Sequence, residues 1–294
     1  MASYHGDQAD GLRRLFGRDQ PRVVTFASGS TGVGKSVLVA NVAALLARQG
    51  REVLILDENT RNVTASYFGA LARHDLLRVV NGEKQLADVL VTVAPGVRIL
   101  PAAQAVRKLG SLSARQQSAL IASFTGIERS PDVILVDASL DHPLGFSPLG
   151  LAAHDAVIVI SATGASITDA YALIKKVSLG YARKNFRILV TKVRSLEEAK
   201  AIYGNIAKVA RSRGVARLEF AGCVPLDESL KQSSCLAQPV SGLFPEAPAS
   251  RAYRSIAAGI LSWPVPGQQS GGLEQFVQQL LHLSQQIDPV AIYA

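Results

Sequence analysis

Continuous apolar runs alternate with amphipathic segments along most of this chain. Residues 53–56, 133–136 and 157–160 are wholly apolar. A strand without polar positions is buried on both faces, as in a parallel sheet that helices cover. The pattern predicts strands at Arg22–Ala27, Glu52–Asp57, Val97–Pro101, Asp132–Asp137, Asp155–Ser161, Phe186–Thr191 and Leu218–Val224.

Helical periodicity falls between these strands and predicts an α/β fold. The expected architecture is a doubly wound, mostly parallel sheet with helices on both faces. The predicted helices are Lys35–Arg48, Ala114–Phe124, Ile167–Tyr181, Leu196–Arg213 and Arg251–Leu261. Composition divides the chain into an N-terminal segment (1–20), a core domain (21–262), a Pro/Gly/Ser-rich linker (263–272) and a C-terminal helix with a tail (273–294).

The last predicted helix, about Leu273–Ile287, is strongly amphipathic. Its polar face carries Glu, Gln and His but neither Lys nor Arg, which weakens attraction to anionic lipid. Two interpretations stay open: a helix that switches to a membrane surface or a groove of the protein, and a helix that packs permanently on the protein's own core. The candidate membrane-binding residues are Leu273, Phe276, Val277, Leu280 and Leu281.

A phosphate-binding loop joins the first predicted strand to the first predicted helix. The run Gly29-Ser30-Thr31-Gly32-Val33-Gly34-Lys35-Ser36 fits the pattern G-x-x-x-x-G-K-[ST]. Its glycines allow successive backbone N–H groups to surround phosphate oxygens at a helix N-terminus. Lys35 is expected to reach the β- and γ-phosphates, and the Ser36 hydroxyl to ligate Mg²⁺. The predicted cofactors are therefore ATP or ADP with Mg²⁺.

Two carboxylates end strands where such a site needs them. Asp137 closes the run 133–136, the usual place of the acid that holds the magnesium shell. Asp57 closes the run 53–56 and is a second candidate for the metal and for catalysis. A strand-terminal aspartate is also a common turn residue, and that alternative stays open for both.

Composition predicts a cytoplasmic protein. The 294 residues are 48% hydrophobic, yet no apolar run reaches the about 20 residues that span a bilayer, and the first residues are polar rather than signal-like. The net charge of +8 is the main support for a nucleic-acid partner. Because the Lys and Arg residues are scattered without a tract of like charge, such a partner is not favoured.

Three stretches resemble the MinD/ParA class of P-loop ATPases, and within it the FlhG (FleN) group of regulators of flagellar number and placement. The resemblance covers about residues 7–261. The first stretch, 7–13, is similar to a D-Q-A-x-x-L-R segment that MinD and ParA proteins lack. The second, 165–175, resembles a helix of the group, and the third, 222–227, resembles its G-x-[IV]-P-x-D segment.

The resemblance implies further residues and partners. It implies that an FlhF-like GTPase binds the N-terminal segment through Asp7, Gln8, Ala9, Leu12 and Arg13. It places Thr191, Pro225 and Asp227 near the adenine. It also implies contacts with flagellar basal-body or regulatory proteins, an ATP-dependent homodimer, and attachment to the inner face of the cell membrane.

Departures from the family pattern bear on hydrolysis. Ser30 stands where the family has a signature lysine, and Asn59 stands where it has an aspartate that orients the attacking water. The run 138–141 lacks the family's switch glycine. Each lost charge or water-orienting group costs about 10²–10³ in rate. We therefore expect Lys35, Asp57 and Asn59 to support weak ATP hydrolysis.

Other functions stay open at the level of sequence. One is a fully active, membrane-cycling ATPase of the MinD type, and another is a ParA-type DNA-segregation ATPase. A metabolic P-loop enzyme is the remaining alternative, although the scattered histidines form no acid–base pair.

Overall fold

The computed structural model describes residues 21–125, 127, 129–140, 146–264 and 273–286. The predicted partner segment 7–13 lies outside these residues, and so does most of the predicted linker. The core is an eight-stranded sheet with the order β3-β4-β2-β5-β1-β6-β7-β8. The strands are β1 Arg22–Ala27, β2 Val53–Asp57, β3 Val91–Ala94, β4 Val97–Pro101, β5 Val133–Asp137, β6 Asp155–Ser161, β7 Asn185–Val193 and β8 Arg217–Pro225.

The mostly parallel sheet that the sequence predicts is confirmed. Strand β1 lies between β5 and β6 and is parallel to both, so the loop that follows it emerges at the middle of the carboxyl edge. Strand β3 was not predicted; it forms a hairpin with β4 and is antiparallel to it. Its four residues are too few to show a period, although the turn at Pro95-Gly96 marks the hairpin.

Helices cover both faces of the sheet. They are α1 Lys35–Arg48, α2 Val63–Tyr67, α3 Leu77–Val80, α4 Leu86–Val89, α5 Ala103–Val106, α6 Ala114–Thr125, α7 Pro148–Ala152, α8 Gly164–Tyr181, α9 Leu196–Ser212, α10 Glu228–Cys235, α11 Val240–Leu243, α12 Pro248–Ser262 and α13 Leu273–Gln286. Helices α1 and α12 pack on one face, whereas α6 to α9 and α13 pack on the other. The long helices were predicted to within about three residues, and the helices of four to eight residues were not.

Helix α13 packs against the protein's own core. Phe276, Val277, Leu280 and Leu281 are 0–8% exposed, and the helix contacts α6, α7 and the short 3₁₀ turn Leu109–Ser111. The cavity left beneath it measures only ≈ 10 Å³ and is lined by apolar side chains. Burying four such side chains stabilises the docked helix by about 6–12 kcal/mol before the cost of ordering it. The side chain of Leu273 lies outside the described part of the chain.

Among the described residues, no helix combines the length and the apolar character needed to cross a bilayer.

Candidate nucleotide-binding site

The loop between β1 and α1 has the backbone of an anion site. Gly32 and Gly34 have φ angles of 72° and 86°, which side-chain-bearing residues rarely adopt. Gly34 is the N-cap of α1, no side chain caps this end, and the first turn carries no acidic residue. The N–H groups at the positive end of the helix dipole are therefore open to an anion.

Gly29 is needed for close packing. A Cβ at this position would lie 2.3 Å from the backbone carbon of Asp169 in α8, closer than any real contact. The start of the phosphate loop thus rests directly on the backbone of α8. In the same loop Ser30 is half-buried and Thr31 is exposed.

The two predicted aspartates lie side by side. Asp57 on β2 and Asp137 on β5 are register partners, and both end their strands on the face that α1 covers. Both are fully buried. The ammonium of Lys35, at the first turn of α1, contacts Asp137 Oδ1 directly. Lys35 and both aspartates therefore belong to one cluster, and Ser36, half-buried, follows Lys35 in the first turn of α1.

Asn59 bridges the two aspartates. Its Nδ2 donates to Asp57 Oδ1 at 2.8 Å and to Asp137 Oδ2 at 2.8 Å, and its backbone N–H also donates to Asp57 Oδ1. Thr64, at the start of α2, donates its hydroxyl to Asp137 Oδ2 at 2.8 Å. The amide donors of Asn59 are thus directed at carboxylates, and its predicted role in orienting water stays a prediction.

Asp57 keeps one oxygen without a partner. Its Oδ2 is buried and accepts no hydrogen bond within the described residues. Burial raises the pKa of Asp57 above its usual value, and the neighbouring Asp137 carboxylate adds to the effect. A buried acceptor without a donor is destabilising, and a cation or a metal-bound water would satisfy it.

Glu58 holds the segment after β5 from the opposite face of the sheet. Its Oε2 accepts from the backbone N–H of Ser139 at 3.0 Å, and its Oε1 accepts from the hydroxyl of Ser147, the N-cap of α7. Burial raises the pKa of Glu58 to about 7, against the lowering effect of these two hydrogen bonds. A buried acidic side chain therefore fixes the segment where the family pattern has a glycine-containing switch.

The three residues predicted near the adenine occupy the carboxyl ends of β7 and β8. The Thr191 hydroxyl contacts the carbonyl oxygens of Val33 and Ile160, at 2.7 and 3.2 Å. Asp227 accepts from the N–H groups of Ser229 and Ala249 and so caps both α10 and α12. Pro225 ends β8. The structure thus gives Thr191 and Asp227 positioning roles, and their contact with adenine stays a prediction.

The donor set fits a magnesium ion that also binds phosphate. Mg²⁺ is usually held by one or two carboxylates, with waters and substrate phosphates completing its octahedron. The predicted ligands, which are Ser36, Asp137 and Asp57 with its unpartnered Oδ2, would supply such a set. No group of three or more His, Cys, Asp or Glu side chains among the described residues forms a metal site by itself.

Sequence reasoning missed two residues that contact this site. Thr64 lies on the short helix α2, which has no periodic signal, and Lys192 follows Thr191 directly. The Lys192 ammonium donates to the carbonyl oxygen of Gly32 at 2.7 Å. The sequence offered one indication of Lys192, its place directly after a polar residue that ends a predicted strand.

Comparisons with known proteins identify the family of this chain. The family model for the CobQ/CobB/MinD/ParA nucleotide binding domain matches residues 24–240. The antiactivator FleN of Pseudomonas aeruginosa is 33% identical over 263 residues, which cover 88% of this chain and 93% of that protein. The flagellum site-determining protein YlxH of Helicobacter pylori is 26% identical over 268 residues, 88% and 90% of the two chains.

Solved structures share the fold. The MinD cell division protein of Aquifex aeolicus matches with a TM-score of 0.62 and 24% identity, over 84% of this chain and all of that one. Pyrococcus horikoshii MinD complexed with Mg-ADP matches with a TM-score of 0.61 and 21% identity, over 83% and 97%. This chain belongs to the MinD/ParA family of P-loop nucleotide-binding proteins, and within it to the group that contains the antiactivator FleN.

Proposed function

We propose that this chain is a nucleotide-binding regulator of flagellar number or placement, which acts through protein partners and hydrolyses ATP weakly. The observation that carries the proposal is the 33% identity to antiactivator FleN across 93% of that protein. The name of YlxH, a flagellum site-determining protein, supports the same process. The phosphate loop, with Lys35 and Asp137 in contact, supports the binding of ATP or ADP with Mg²⁺.

Binding would make Lys35 exchange a carboxylate for phosphate oxygens. Its contact with Asp137 is buried, so the exchange keeps the ammonium paired throughout. Asp137 is then released toward the magnesium shell, together with the Ser36 hydroxyl and the free oxygen of Asp57. Bound Mg²⁺ would neutralise charge on the phosphates. The chain's own part is to orient the triphosphate through the loop N–H groups and Lys35.

Weak hydrolysis follows from the side chains at two positions. Ser30 is too short and uncharged to supply charge to the phosphates of a second molecule. Asn59 cannot accept a proton from water, and both hydrogens of its amide are used by Asp57 and Asp137. Two losses of this kind reduce turnover by about 10⁴ or more if their effects add.

The remaining parts of the proposal concern partners and place. The segment 7–13 would bind an FlhF-like GTPase, and ATP would favour a homodimer. Helix α13, with its apolar face in the groove on α6 and α7, would leave that groove for the inner face of the cell membrane when the dimer forms. Regulation of this kind would require a cytoplasmic protein with a peripheral membrane state. Flagellar basal-body or regulatory proteins are the expected targets.

Calorimetry and phosphate release with the purified protein test the nucleotide part. We expect ADP–Mg²⁺ to bind wild type, Lys35→Ala to abolish binding, and ATP turnover to lie far below that of a MinD-type ATPase measured in parallel. Ser30→Lys is the matched gain-of-charge variant and should raise turnover. Turnover of wild type equal to the MinD-type control, with or without an FlhF-like GTPase, would contradict weak hydrolysis.

Complementation tests the flagellar part. The gene would be expressed in Pseudomonas aeruginosa that lacks FleN, and flagella per cell would be counted by electron microscopy. We expect wild type to reduce an abnormal flagellar number, and Lys35→Ala to fail at equal protein level. A chain that binds nucleotide but leaves flagellar number unchanged would separate the two parts and refute the second.

A further inference from the structure

Lys192 has a backbone conformation that its side chain disfavours. Its φ angle is +57°, in the left-handed region that β-carbon-bearing residues rarely enter. The pairing of β7 with β8 shifts register between Thr191 and Val193, so Lys192 is the extra residue of a β-bulge. Bulges of this kind redirect a side chain, and strained residues held in place beside a site point to a role in that site.

The bulge brings the Lys192 side chain to a carbonyl group of the phosphate loop. Its ammonium donates to the Gly32 carbonyl oxygen at 2.7 Å, and the preceding residue, Thr191, has its hydroxyl 2.7 Å from the Val33 carbonyl oxygen. Two consecutive residues of β7 thus hold two consecutive carbonyl groups of the loop. Lys192 is exposed, so burial of its side chain does not explain the strained backbone.

The geometry of the peptide unit relates these carbonyl contacts to the direction of the N–H groups that bind phosphate. In a trans peptide the carbonyl of one residue and the N–H of the next point in opposite directions. The hydrogen bond from Lys192 therefore fixes the Val33 N–H on the side opposite the Gly32 carbonyl, and the hydrogen bond from Thr191 does the same for the Gly34 N–H and the Val33 carbonyl. Successive loop N–H groups that are fixed on the side away from these partners can together bind a phosphate.

We propose that Lys192 is a positioning residue which, through its hydrogen bond to the Gly32 carbonyl, fixes the phosphate loop in its binding conformation. The inference rests on the proposed binding of nucleotide at this loop and extends it to a residue outside the motif. Lys192 acts on the loop rather than on the base, so its effect extends to any polyphosphate. Inorganic tripolyphosphate, which has no base or ribose, is therefore the informative probe.

Calorimetry on the full chain tests the proposal with Lys192→Gly and Lys192→Met. Glycine removes the side chain and relieves the strained φ, whereas methionine keeps the stem and loses the donor. We expect both variants to bind tripolyphosphate and ADP–Mg²⁺ about five- to tenfold more weakly. Free Lys192→Gly should melt at the same temperature as wild type or higher, because glycine accepts this conformation without strain.

Two control variants separate the alternatives. Ala182→Gly relieves another left-handed residue, φ +54° at the far end of α8, and should raise stability without changing binding. Lys200→Met removes an exposed positive charge on α9 and should leave binding nearly unchanged. The wild-type-to-variant affinity ratio at Lys192 should persist from about 50 to about 500 mM salt, because a field effect alone would be screened.

Three results would overturn the inference. Tripolyphosphate affinity of Lys192→Gly within about twofold of wild type would exclude a role in the loop, and so would an effect confined to ADP. If Lys192→Gly lost both affinity and melting temperature, the lysine would stabilise the fold rather than position the phosphate loop. Wild type that binds neither probe would refute the proposed function as well, whereas a binding wild type with unaffected variants refutes only the role of Lys192.

Discussion

Replacing Asn59 with aspartate tests how the two strand-terminal carboxylates are kept together. The amide nitrogen of Asn59 lies 2.8 Å from Asp57 Oδ1 and 2.8 Å from Asp137 Oδ2. Asparagine and aspartate have nearly the same shape, so Asn59→Asp changes the chemistry with little change in packing. An acceptor oxygen then replaces a donor of two hydrogen bonds, between two buried carboxylates.

The size of the effect can be bounded in two ways. Two carboxylates about 4 Å apart repel by about 4 kcal/mol at an effective dielectric constant of about 20, and the variant would contain two such pairs. Protonation of the new carboxyl avoids this repulsion. Keeping a carboxyl of ordinary pKa 3.9 protonated at pH 7 costs about 4 kcal/mol, and this sets the upper limit. We therefore expect a loss of about 2–4 kcal/mol in the free energy of unfolding at pH 7.

Urea denaturation at two pH values measures this loss. The new carboxyl has a folded-state pKa raised above its unfolded value, so the charge-dependent part of its cost is absent below about pH 4 and grows as pH rises. At pH 5 the expected loss is only about 1.5 kcal/mol. Asn205→Asp, on the exposed surface of α9, is the matched control and should change stability by less than about 0.5 kcal/mol at either pH.

Equal stability of Asn59→Asp and wild type at pH 7 would refute the bridge. A loss that is the same at both pH values would also contradict the reasoning, because it would come from packing rather than from charge. We further expect the variant alone to leave ATP turnover low, since Ser30 remains. Turnover restored by Asn59→Asp alone would show that the side chain at this position reaches the attacking water.

Three more predictions concern neighbouring contacts. Gly29→Ala should lower the free energy of unfolding by about 1–3 kcal/mol and weaken ADP binding, because its Cβ would lie 2.3 Å from the Asp169 backbone. Thermal melts measure the loss, and Gly164→Ala, whose Cβ would have nothing within 4 Å, is the control that should leave the melting temperature unchanged. The folded-state pKa of Glu58 is about 7. Glu58 therefore stabilises the fold most at pH values below its unfolded-state pKa, and this stabilisation falls as pH rises toward 7. Glu58→Gln should flatten that part of the stability–pH curve, and an unchanged slope in urea titrations would contradict this. Gly110→Val should displace α13, because a Cβ at this position would lie 2.7 Å from the Ser284 carbonyl oxygen. Amide hydrogen exchange in α13 should then become faster, and if the helix binds lipid, more protein should sediment with anionic vesicles. Unchanged exchange in α13 would mean that the groove adapts to the new side chain.

The sheet and the main site were predictable because their sequence signals are local or follow from the parallel arrangement of neighbouring strands. Asp57 and Asp137 each end a continuous apolar run, and parallel neighbouring strands bring such ends together, as their register confirms. The loop Gly29–Ser36 carries its chemistry in eight consecutive residues. Strand β3 and helices α2 and α7 escaped prediction because four or five residues show no period.

Contacts made by distant residues were not predictable. Thr64 reaches Asp137 across 73 positions, and the Lys192 ammonium reaches Gly32 across 160, through a bulge that no sequence pattern marks. The capping role of Asp227 was not predictable either. The motif resemblance predicts only that Asp227 lies near the base, and its two oxygens also accept hydrogen bonds at the N-termini of α10 and α12.

Helix α7 connects the carboxylate cluster with the groove that holds α13. Its N-cap, Ser147, donates a hydrogen bond to Glu58, the residue that follows Asp57 directly. Two residues into the helix, Leu149 lines the cavity beneath Phe276 and Val277. A close-packed interior transmits strain, so a change at Asp57 that shifts Glu58 would reach Leu149 through Ser147 and α7. The carboxylate that fixes the segment after β5 is thus connected, through one short helix, to the groove that holds the C-terminal helix.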